Sequence, residues 1–216
     1  MKYKAVIFDL DGVIVSTDKF HYLAWKKMAD EENIYFDEKI NERLRGVSRM
    51  ESLEIVLEKS QKIYSAEDKI ELAERKNNYY KEYLKELTSN DILDGVNDFL
   101  AFLKREKVKV AIGSSSKNCK FILKKIGLDN YFDVVVDGND ITMSKPSGEV
   151  YEKAGKLLGV EPFHCLVVED AEAGVKAAMA ASMDCLAVGS AQFSTGATFG
   201  AKCLAEKKIY DFVKEN

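Results

Sequence analysis

The chain alternates between short apolar runs and longer stretches in which apolar residues recur with the period of a helix. The runs are rich in valine, isoleucine and leucine, as expected for buried strands, and cover residues 3–8, 108–112, 133–136, 165–168 and 185–188. The helical period predicts helices over 96–106, 117–126, 149–158 and 171–181. Strands that alternate with helices in this way favour a parallel sheet with helices on both faces.

One long stretch lacks strand-like runs. Residues 18–88 show only helical periodicity, which is strongest over 20–25, 40–44, 52–59 and 70–87. Ser48 and Glu51 fit a capping box at the start of one helix, and Ser65 with Asp68 fits a second. This stretch therefore indicates an all-helical block.

The two patterns together predict an α/β fold with two domains. We expect a Rossmann-like core with a parallel sheet, formed by residues 1–15 and 91–216. We expect an all-helical domain over 16–90, inserted after the first strand. A chain of 216 residues is long enough to bury a core of this kind and to carry an insertion.

Asp9-Leu10-Asp11-Gly12 follows the first apolar run directly. Alternate residues of an extended chain lie on the same side, so Asp9 and Asp11 can point into one pocket. Two carboxylates in one pocket repel each other unless a cation relieves the repulsion, as in a metal-dependent reaction centre. The alternative is structural, because Asp and Gly also favour the turn at the end of a strand.

Further polar residues lie where later strands end, which is where ligands bind in such sheets. Ser114 and Ser116 precede a helix, and hydroxyls with free N–H groups there suit phosphate, although a simple helix cap explains them too. Lys145 precedes Pro146, and a following proline favours an extended backbone. The Lys145 ammonium could neutralise a phosphoryl group, or it could lie in solvent as most lysines do. Glu169 and Asp170 end a buried strand and, with Asp9, would supply oxygen ligands for Mg²⁺.

Composition narrows the classes of function. A net charge of −4 without a basic cluster argues against nucleic-acid binding. No apolar run is long enough to span a membrane, and the first run is interrupted by Asp9 and Asp11, which argues against a signal peptide. The 4 Cys are far apart and the chain has only 2 His, so oxygen ligands and a hard cation are favoured over a thiolate or imidazole site. We expect a cytoplasmic protein with no nucleic-acid or membrane partner.

In this order along the chain, Asp9-x-Asp11-Gly, Ser114, Lys145-Pro146 and Glu169-Asp170 resemble the four motifs of the haloacid dehalogenase superfamily, over residues 1 to about 188. The resemblance implies phosphoryl transfer through an aspartyl-phosphate on Asp9, with Asp11 as general acid and base. It also implies Mg²⁺ as cofactor, with Ser114 and Lys145 at the phosphate. The implied metal ligands are Asp9, Asp11 through its backbone carbonyl, Glu169 and Asp170.

Segments 20–25, 45–52 and 75–77, with 114–118 in the core, narrow the resemblance to the β-phosphoglucomutases. By this resemblance the helical insertion is a cap that closes over the substrate. Arg49 would hold the non-reacting phosphate of a sugar bisphosphate, bidentate as arginine favours. The other implied binding residues are Ser116, Lys117, Asn118, Gly46, Val47, Ser48, Ser52, Lys76, His21 and Trp25, and the implied hinge and closure residues are Thr17 and Arg45.

The cap motifs leave alternatives open. His21 and Lys76 would couple cap closure to Asp11, but a half-buried histidine and a solvated lysine are also reasonable. The chain departs from the family where Arg45 replaces lysine, where Ser16 replaces an acid, and where Ser147-Gly148 replaces Ala-Pro. We assign no role to residues 190–202.

We expect an isomerase that interconverts β-D-glucose 1-phosphate and D-glucose 6-phosphate. The activating intermediate would be β-glucose 1,6-bisphosphate, and the partner a small sugar phosphate bound by a monomer. The alternative is a sugar-phosphate phosphatase, because the core motifs serve both reactions. A catalytically silent protein would be expected to lack Asp9 or Asp11, and both are present.

Overall fold

A computed structural model describes residues 2–44 and 47–214. At its centre lies a parallel sheet of six strands in the order β3-β2-β1-β4-β5-β6, which confirms the predicted fold class. The strands are β1 Ala5–Phe8, β2 Lys109–Gly113, β3 Val134–Val136, β4 Cys165–Glu169, β5 Asp184–Val188 and β6 Phe199–Ala201.

Helices cover both faces of the sheet, so β1 is buried on both sides and reads as a continuous apolar run. Val6 and Phe8 point into one apolar cluster, while Ala5 and Ile7 point into the other. The core helices are α5 Val96–Arg105, α6 Cys119–Lys125, α7 Glu149–Leu158, α8 Glu172–Ala180 and α9 Lys208–Lys214.

The segment after β1 forms a helical cap with an apolar core of its own, in which Trp25, Met28, Leu53 and Leu72 are buried. Both predicted capping boxes are present, since the Ser48 and Ser65 side chains accept from backbone N–H groups three residues on. The cap helices are α1 Asp18–Glu31, α2 Glu38–Glu42, α3 Arg49–Leu57 and α4 Ala66–Tyr83. The two longest, α1 and α4, pack against each other.

Some boundaries differ from prediction. Helices α3 and α4 begin earlier than the periodicity indicated, at the residue after each capping serine. The expectation of a helix beginning at Lys117 and capped by Ser116 was wrong: α6 begins at Cys119, because hydroxyl bonds hold the residues before it in a turn. The unassigned segment contains β6, a short edge strand beside β5.

The register of the sheet brings the predicted residues together. Phe8 on β1 aligns with Ile112 on β2 and with Val168 on β4. The residues that follow these three therefore lie side by side at the carboxyl edge of the sheet. Within the described part of the chain, no helix has the length and apolar character needed to cross a bilayer.

Candidate active site

A cavity of about 500 Å³ lies between the carboxyl edge of the sheet and the cap, which is a typical size for a site that takes a small molecule. Of the predicted site residues that the structure describes, only Thr17 lies outside its lining; Arg45 and Gly46 fall outside the described residues. The core contributes Asp9, Asp11, Ser114, Ser116, Lys117, Asn118, Lys145, Glu169 and Asp170, and the cap contributes His21, Trp25, Val47, Ser48, Arg49, Ser52 and Lys76.

Lys145 joins two of the acids at the base of the cavity. Its Nζ lies 2.5 Å from Asp9 Oδ1 and 2.5 Å from Glu169 Oε1, and all three side chains are almost completely buried. Burial alone would lower the pKa of Lys145, but the two carboxylates outweigh it and raise the pKa. Lys145 is therefore a fixed buried cation, and the alternative of a solvated surface lysine was wrong.

Glu169 has partners for both of its carboxylate oxygens. Oε1 accepts from Lys145 Nζ and from the Tyr151 hydroxyl at 2.7 Å. Oε2 accepts from the backbone N–H groups of Asp170 and Ala171 at 2.9 and 3.1 Å. Within residues 2–44 and 47–214, no three His, Cys, Asp or Glu side chains converge closely enough to hold a metal by themselves. The arrangement therefore favours Glu169 as the partner of Lys145 rather than as a direct metal ligand.

The remaining acids line the same cavity, and their charges act on one another. Burial raises the pKa of Asp9 to about 7, against the opposing effect of Lys145, and the carboxylates of Glu169 and Asp11 contribute to the rise. Burial and the carboxylates of Asp9, Glu169 and Asp11 raise the pKa of Asp170 to about 8. Carboxylate oxygens are the ligands that a hard divalent cation prefers, and Asp9, Asp11 and Asp170 line one cavity, so these residues fit Mg²⁺ that takes its other ligands from outside the protein.

Asp11 points toward the first residues of the cap. Its Oδ1 accepts from the Thr17 backbone N–H at 2.7 Å, and its Oδ2 accepts from Thr17 Oγ1 at 2.5 Å. Thr17 is the N-cap residue of α1, yet its side chain makes no capping bond, because its hydroxyl is committed to Asp11. The Tyr80 hydroxyl lies 2.8 Å from the same Thr17 oxygen. Since that oxygen donates its only proton to Asp11, Tyr80 is the donor to Thr17.

Two basic groups of the cap meet beside Asp11. Lys76 Nζ lies 2.8 Å from His21 Nδ1, and His21 Nε2 lies 3.7 Å from Asp11 Oδ2. Lys76 is 2% exposed and lies over the rings of Trp25 and Tyr80, so the solvated alternative was wrong. Burial and the Arg49 cation lower the pKa of Lys76. Burial and the Lys76 and Arg49 cations lower the pKa of His21, although 35% of its side chain is exposed.

Arg49 is the first residue of α3, where the partial positive charge of a helix N-terminus disfavours a cation. Burial lowers its pKa, but a guanidinium remains charged at neutral pH. In the described parts of the chain, no carboxylate lies within ion-pair distance of it. A half-buried cation in this position is suited to an anionic ligand.

The residues after β2 form a turn of consecutive hydroxyls. Ser114 Oγ accepts from the Ser116 N–H at 3.2 Å, and Ser116 Oγ accepts from the Asn118 N–H at 3.2 Å. Lys117 is exposed at the cavity and Asn118 is nearly buried. The turn therefore presents hydroxyl, ammonium and amide groups to the cavity opposite the cap.

Among the residues that sequence reasoning missed, three in or beneath the cavity form side-chain hydrogen bonds. Tyr80 and Asn77 line the cavity from α4, and Tyr151 lies beneath Glu169 on α7. Tyr80 is one helical turn beyond Lys76, so the helical period could have found it. The Tyr151 contact joins helix α7 to the end of strand β4 and has no local signal in the sequence.

The sequence matches the family of haloacid dehalogenase-like hydrolases over residues 3–182. It is 41% identical over 196 residues to the β-phosphoglucomutase of Bacillus subtilis (strain 168), covering 90% of this chain and 87% of the relative. It is 32% identical over 184 residues to the phosphorylated carbohydrates phosphatase of Thermotoga maritima, covering 84% and 82%. A crystal structure of β-phosphoglucomutase from Clostridium difficile superposes with a TM-score of 0.90 at 38% identity, covering 98% of this chain and 96% of that one.

Proposed function

Because the chain belongs to the haloacid dehalogenase-like hydrolase family, we propose that it is an isomerase of the β-phosphoglucomutase type. It would interconvert β-D-glucose 1-phosphate and D-glucose 6-phosphate through β-glucose 1,6-bisphosphate. One observation carries the proposal. A cation lines the cavity at each end. Lys145 lies at the nucleophile together with the Ser114 hydroxyl, and Arg49 lies in the cap. A substrate with a phosphoryl group at each end fits this distribution of charge.

Asp9 is the proposed nucleophile. Lys145 holds Oδ1, which leaves Oδ2 to attack phosphorus and to form the aspartyl-phosphate. Ser114 and Lys145 would contact the oxygens of the transferred phosphoryl group, whose charge spreads over them in the transition state. The sugar oxygen leaves as the new bond to Asp9 forms, and the reverse transfer goes to the other hydroxyl of the sugar.

Asp11 is the proposed proton carrier. In the structure Thr17 holds both of its oxygens, so a turn of the side chain toward the reacting oxygen has to accompany catalysis. Asp11 would give a proton to the leaving oxygen and take one from the attacking hydroxyl. His21 and Lys76 lie next to it and would bias its charge as the cap closes.

The residues proposed to hold Mg²⁺ are Asp9, Asp170 and the backbone carbonyl of Asp11. When bound, the cation would neutralise charge on the carboxylates and on the phosphoryl oxygens. Glu169 was expected as a fourth ligand; since its oxygens already have four donors, we propose that it orients Lys145 instead.

At the distal end, Arg49 would bind the non-reacting phosphate together with Ser116, Lys117 and Asn118. Val47, Ser48 and Ser52 surround Arg49 on the cap, and Trp25 lies beneath Lys76. Closure over the sugar would keep water from the aspartyl-phosphate, so that a sugar hydroxyl is the acceptor.

A coupled assay tests the proposal with β-glucose 1-phosphate, Mg²⁺ and a trace of β-glucose 1,6-bisphosphate. Glucose 6-phosphate should appear, and the α-anomer should be inert. Rapid release of inorganic phosphate without glucose 6-phosphate would reject the isomerase. It would favour the second candidate, a sugar-phosphate phosphatase, which is the activity named for the Thermotoga maritima relative.

A further inference from the structure

Tyr151 is a fully buried tyrosine in the first turn of α7, below the floor of the cavity. Its hydroxyl donates to Glu169 Oε1 at 2.7 Å, the oxygen that also accepts from Lys145. The ammonium of Lys145 lies 4.8 Å from the centre of the Tyr151 ring. One side chain thus contacts both members of the buried pair that holds Asp9.

The fold leaves room for this arrangement at two glycines. A Cβ on Gly113, at the end of β2, would lie 2.8 Å from the Tyr151 ring. A Cβ on Gly174, in the first turn of α8, would lie 1.8 Å from Glu169 Oε1. Both distances are far below van der Waals contact, so the ring and the carboxylate occupy space that only glycine leaves open.

We propose that Tyr151 is a positioning residue for phosphoryl transfer: its hydroxyl fixes the Glu169 carboxylate on Lys145, and Glu169 in turn fixes the ammonium on Asp9 Oδ1. Tyr151 does not reach the cavity itself, since Lys145 and Glu169 lie between its hydroxyl and Asp9. The inference rests on the proposed transfer to Asp9, but it is independent of the acceptor, whether sugar or water.

The hydrogen-bond donors to Glu169 explain why the Tyr151 hydroxyl is needed to orient its carboxylate. Two backbone N–H groups hold Glu169 Oε2 in place, while Oε1 has only the ammonium and the Tyr151 hydroxyl. Without the hydroxyl, the carboxylate can rotate about its backbone-bound oxygen. Lys145 then loses the geometry that directs it to Asp9. Burial, Glu169 and Asp9 raise the pKa of Tyr151, so the hydroxyl stays a donor at neutral pH.

The test compares Tyr151→Phe with Tyr3→Phe. Each variant keeps a buried ring and loses one hydroxyl that donates to a carboxylate. The Tyr3 hydroxyl donates to Asp184 at 2.6 Å. Tyr3 precedes β1, so this bond lies at the opposite edge of the sheet from the cavity. Phosphorylation of Asp9 by a small phosphodonor such as acetyl phosphate is followed by intact mass in the presence of Mg²⁺. We expect Tyr151→Phe to lower the maximal rate roughly tenfold, with the half-saturating phosphodonor concentration within about twofold of wild type. Tyr3→Phe should match the wild-type rate.

A crystal structure of Tyr151→Phe supplies the second measurement, in which the Glu169 carboxylate should have moved away from Lys145. Equal maximal rates in the two variants would overturn the inference, and so would a slow Tyr151→Phe with Glu169 and Lys145 unmoved. Failure of wild-type protein to become phosphorylated on Asp9 would instead reject the proposed function. Thermal unfolding of both variants verifies that they are folded before the rates are compared.

Discussion

Asn118 donates a hydrogen bond from Nδ2 to Asn77 Oδ1 over 3.0 Å, and this bond connects the turn after β2 to helix α4 of the cap. The cap therefore contacts the core directly across the cavity. Asn118 is also proposed to bind the distal phosphate, so the same amide serves cap closure and substrate binding. Its NH₂ group has two protons, so it can donate to a ligand and keep the bond to Asn77.

Asn77→Ala is expected to weaken closure of the cap without removing a phosphate contact. Loss of one partly buried hydrogen bond corresponds to about 1 kcal/mol, so the ratio of inorganic phosphate to glucose 6-phosphate should rise about fivefold. The ratio is measured in the coupled assay with excess β-glucose 1-phosphate. The matched control is Asn130→Ala, which removes an exposed amide bonded to Asp129. An unchanged ratio in Asn77→Ala would contradict a role in closure.

Arg49→Ala should slow isomerisation by about a hundredfold, because charge-assisted bonds to the distal phosphate are lost. Phosphorylation of Asp9 by acetyl phosphate should continue at a similar rate, since a small phosphodonor has no second phosphate to hold. Arg105→Ala serves as control, with a guanidinium that is 71% exposed on α5. If Arg49→Ala isomerised at the wild-type rate, the assignment of the cap cation would be wrong.

Lys145→Met leaves Asp9 and Glu169 buried without their cation. We expect loss of Asp9 phosphorylation and a free energy of unfolding lower by about 3 kcal/mol at pH 8. The destabilisation should be smaller at pH 5, where the carboxyls can take up protons. Urea unfolding at both pH values measures it. Lys176→Met is the control, since the exposed ion pair of Lys176 with Glu172 should contribute less than about 1 kcal/mol to the free energy of unfolding. Equal destabilisation by the two variants would argue against a fixed buried cation.

Stability of the metal-free protein should fall as pH rises. Asp9 and Asp170 have pKa values raised to about 7 and about 8, chiefly by burial. An aspartate has a pKa near 4 when unfolded, so the folded state binds more protons between roughly pH 4 and 8 and loses stability across that window. Thermal unfolding with a chelator should show this fall, and Mg²⁺ should restore more stability at pH 8 than at pH 5.

Asp170→Asn provides the matching variant for the pH series. The amide keeps the size of the side chain and removes one titrating carboxyl. We expect a shallower fall of the unfolding temperature with pH and a smaller gain from Mg²⁺. A pH dependence identical to wild type would show that the Asp170 carboxyl does not titrate in this range.

Much of the fold could be predicted because its signals are local. Strands that are buried on both faces have nearly continuous apolar runs. Ser48 and Ser65 mark the start of their helices through hydrogen bonds with residues three positions on. Strand β6 gave no such signal: it has three residues, one of them Gly200, at the edge of the sheet. Its position depends on pairing with β5 and not on its own propensity.

The same distinction holds for the site. Asp9 and Ser114 directly follow their strands, and Glu169 is the last residue of its strand. All three were predictable because parallel strands end at one edge of the sheet. The partners of Glu169 were not, since Lys145 is 24 residues away in sequence and Tyr151 is 18. These contacts are important because the site is buried. Water cannot hydrogen-bond to the Glu169 carboxylate, so each protein donor is needed to stabilise its charge.

Thr17 has a mechanical consequence for the molecule. It is the N-cap residue of the first helix of the cap, and its backbone N–H and hydroxyl donate to the carboxylate of Asp11, the proposed proton carrier. A rotation of the cap that moves Thr17 would therefore move the Asp11 carboxylate with it. Because Asp11 is proposed to move with the cap, an open cleft that admits water would also lack the base that could activate this water against the aspartyl-phosphate.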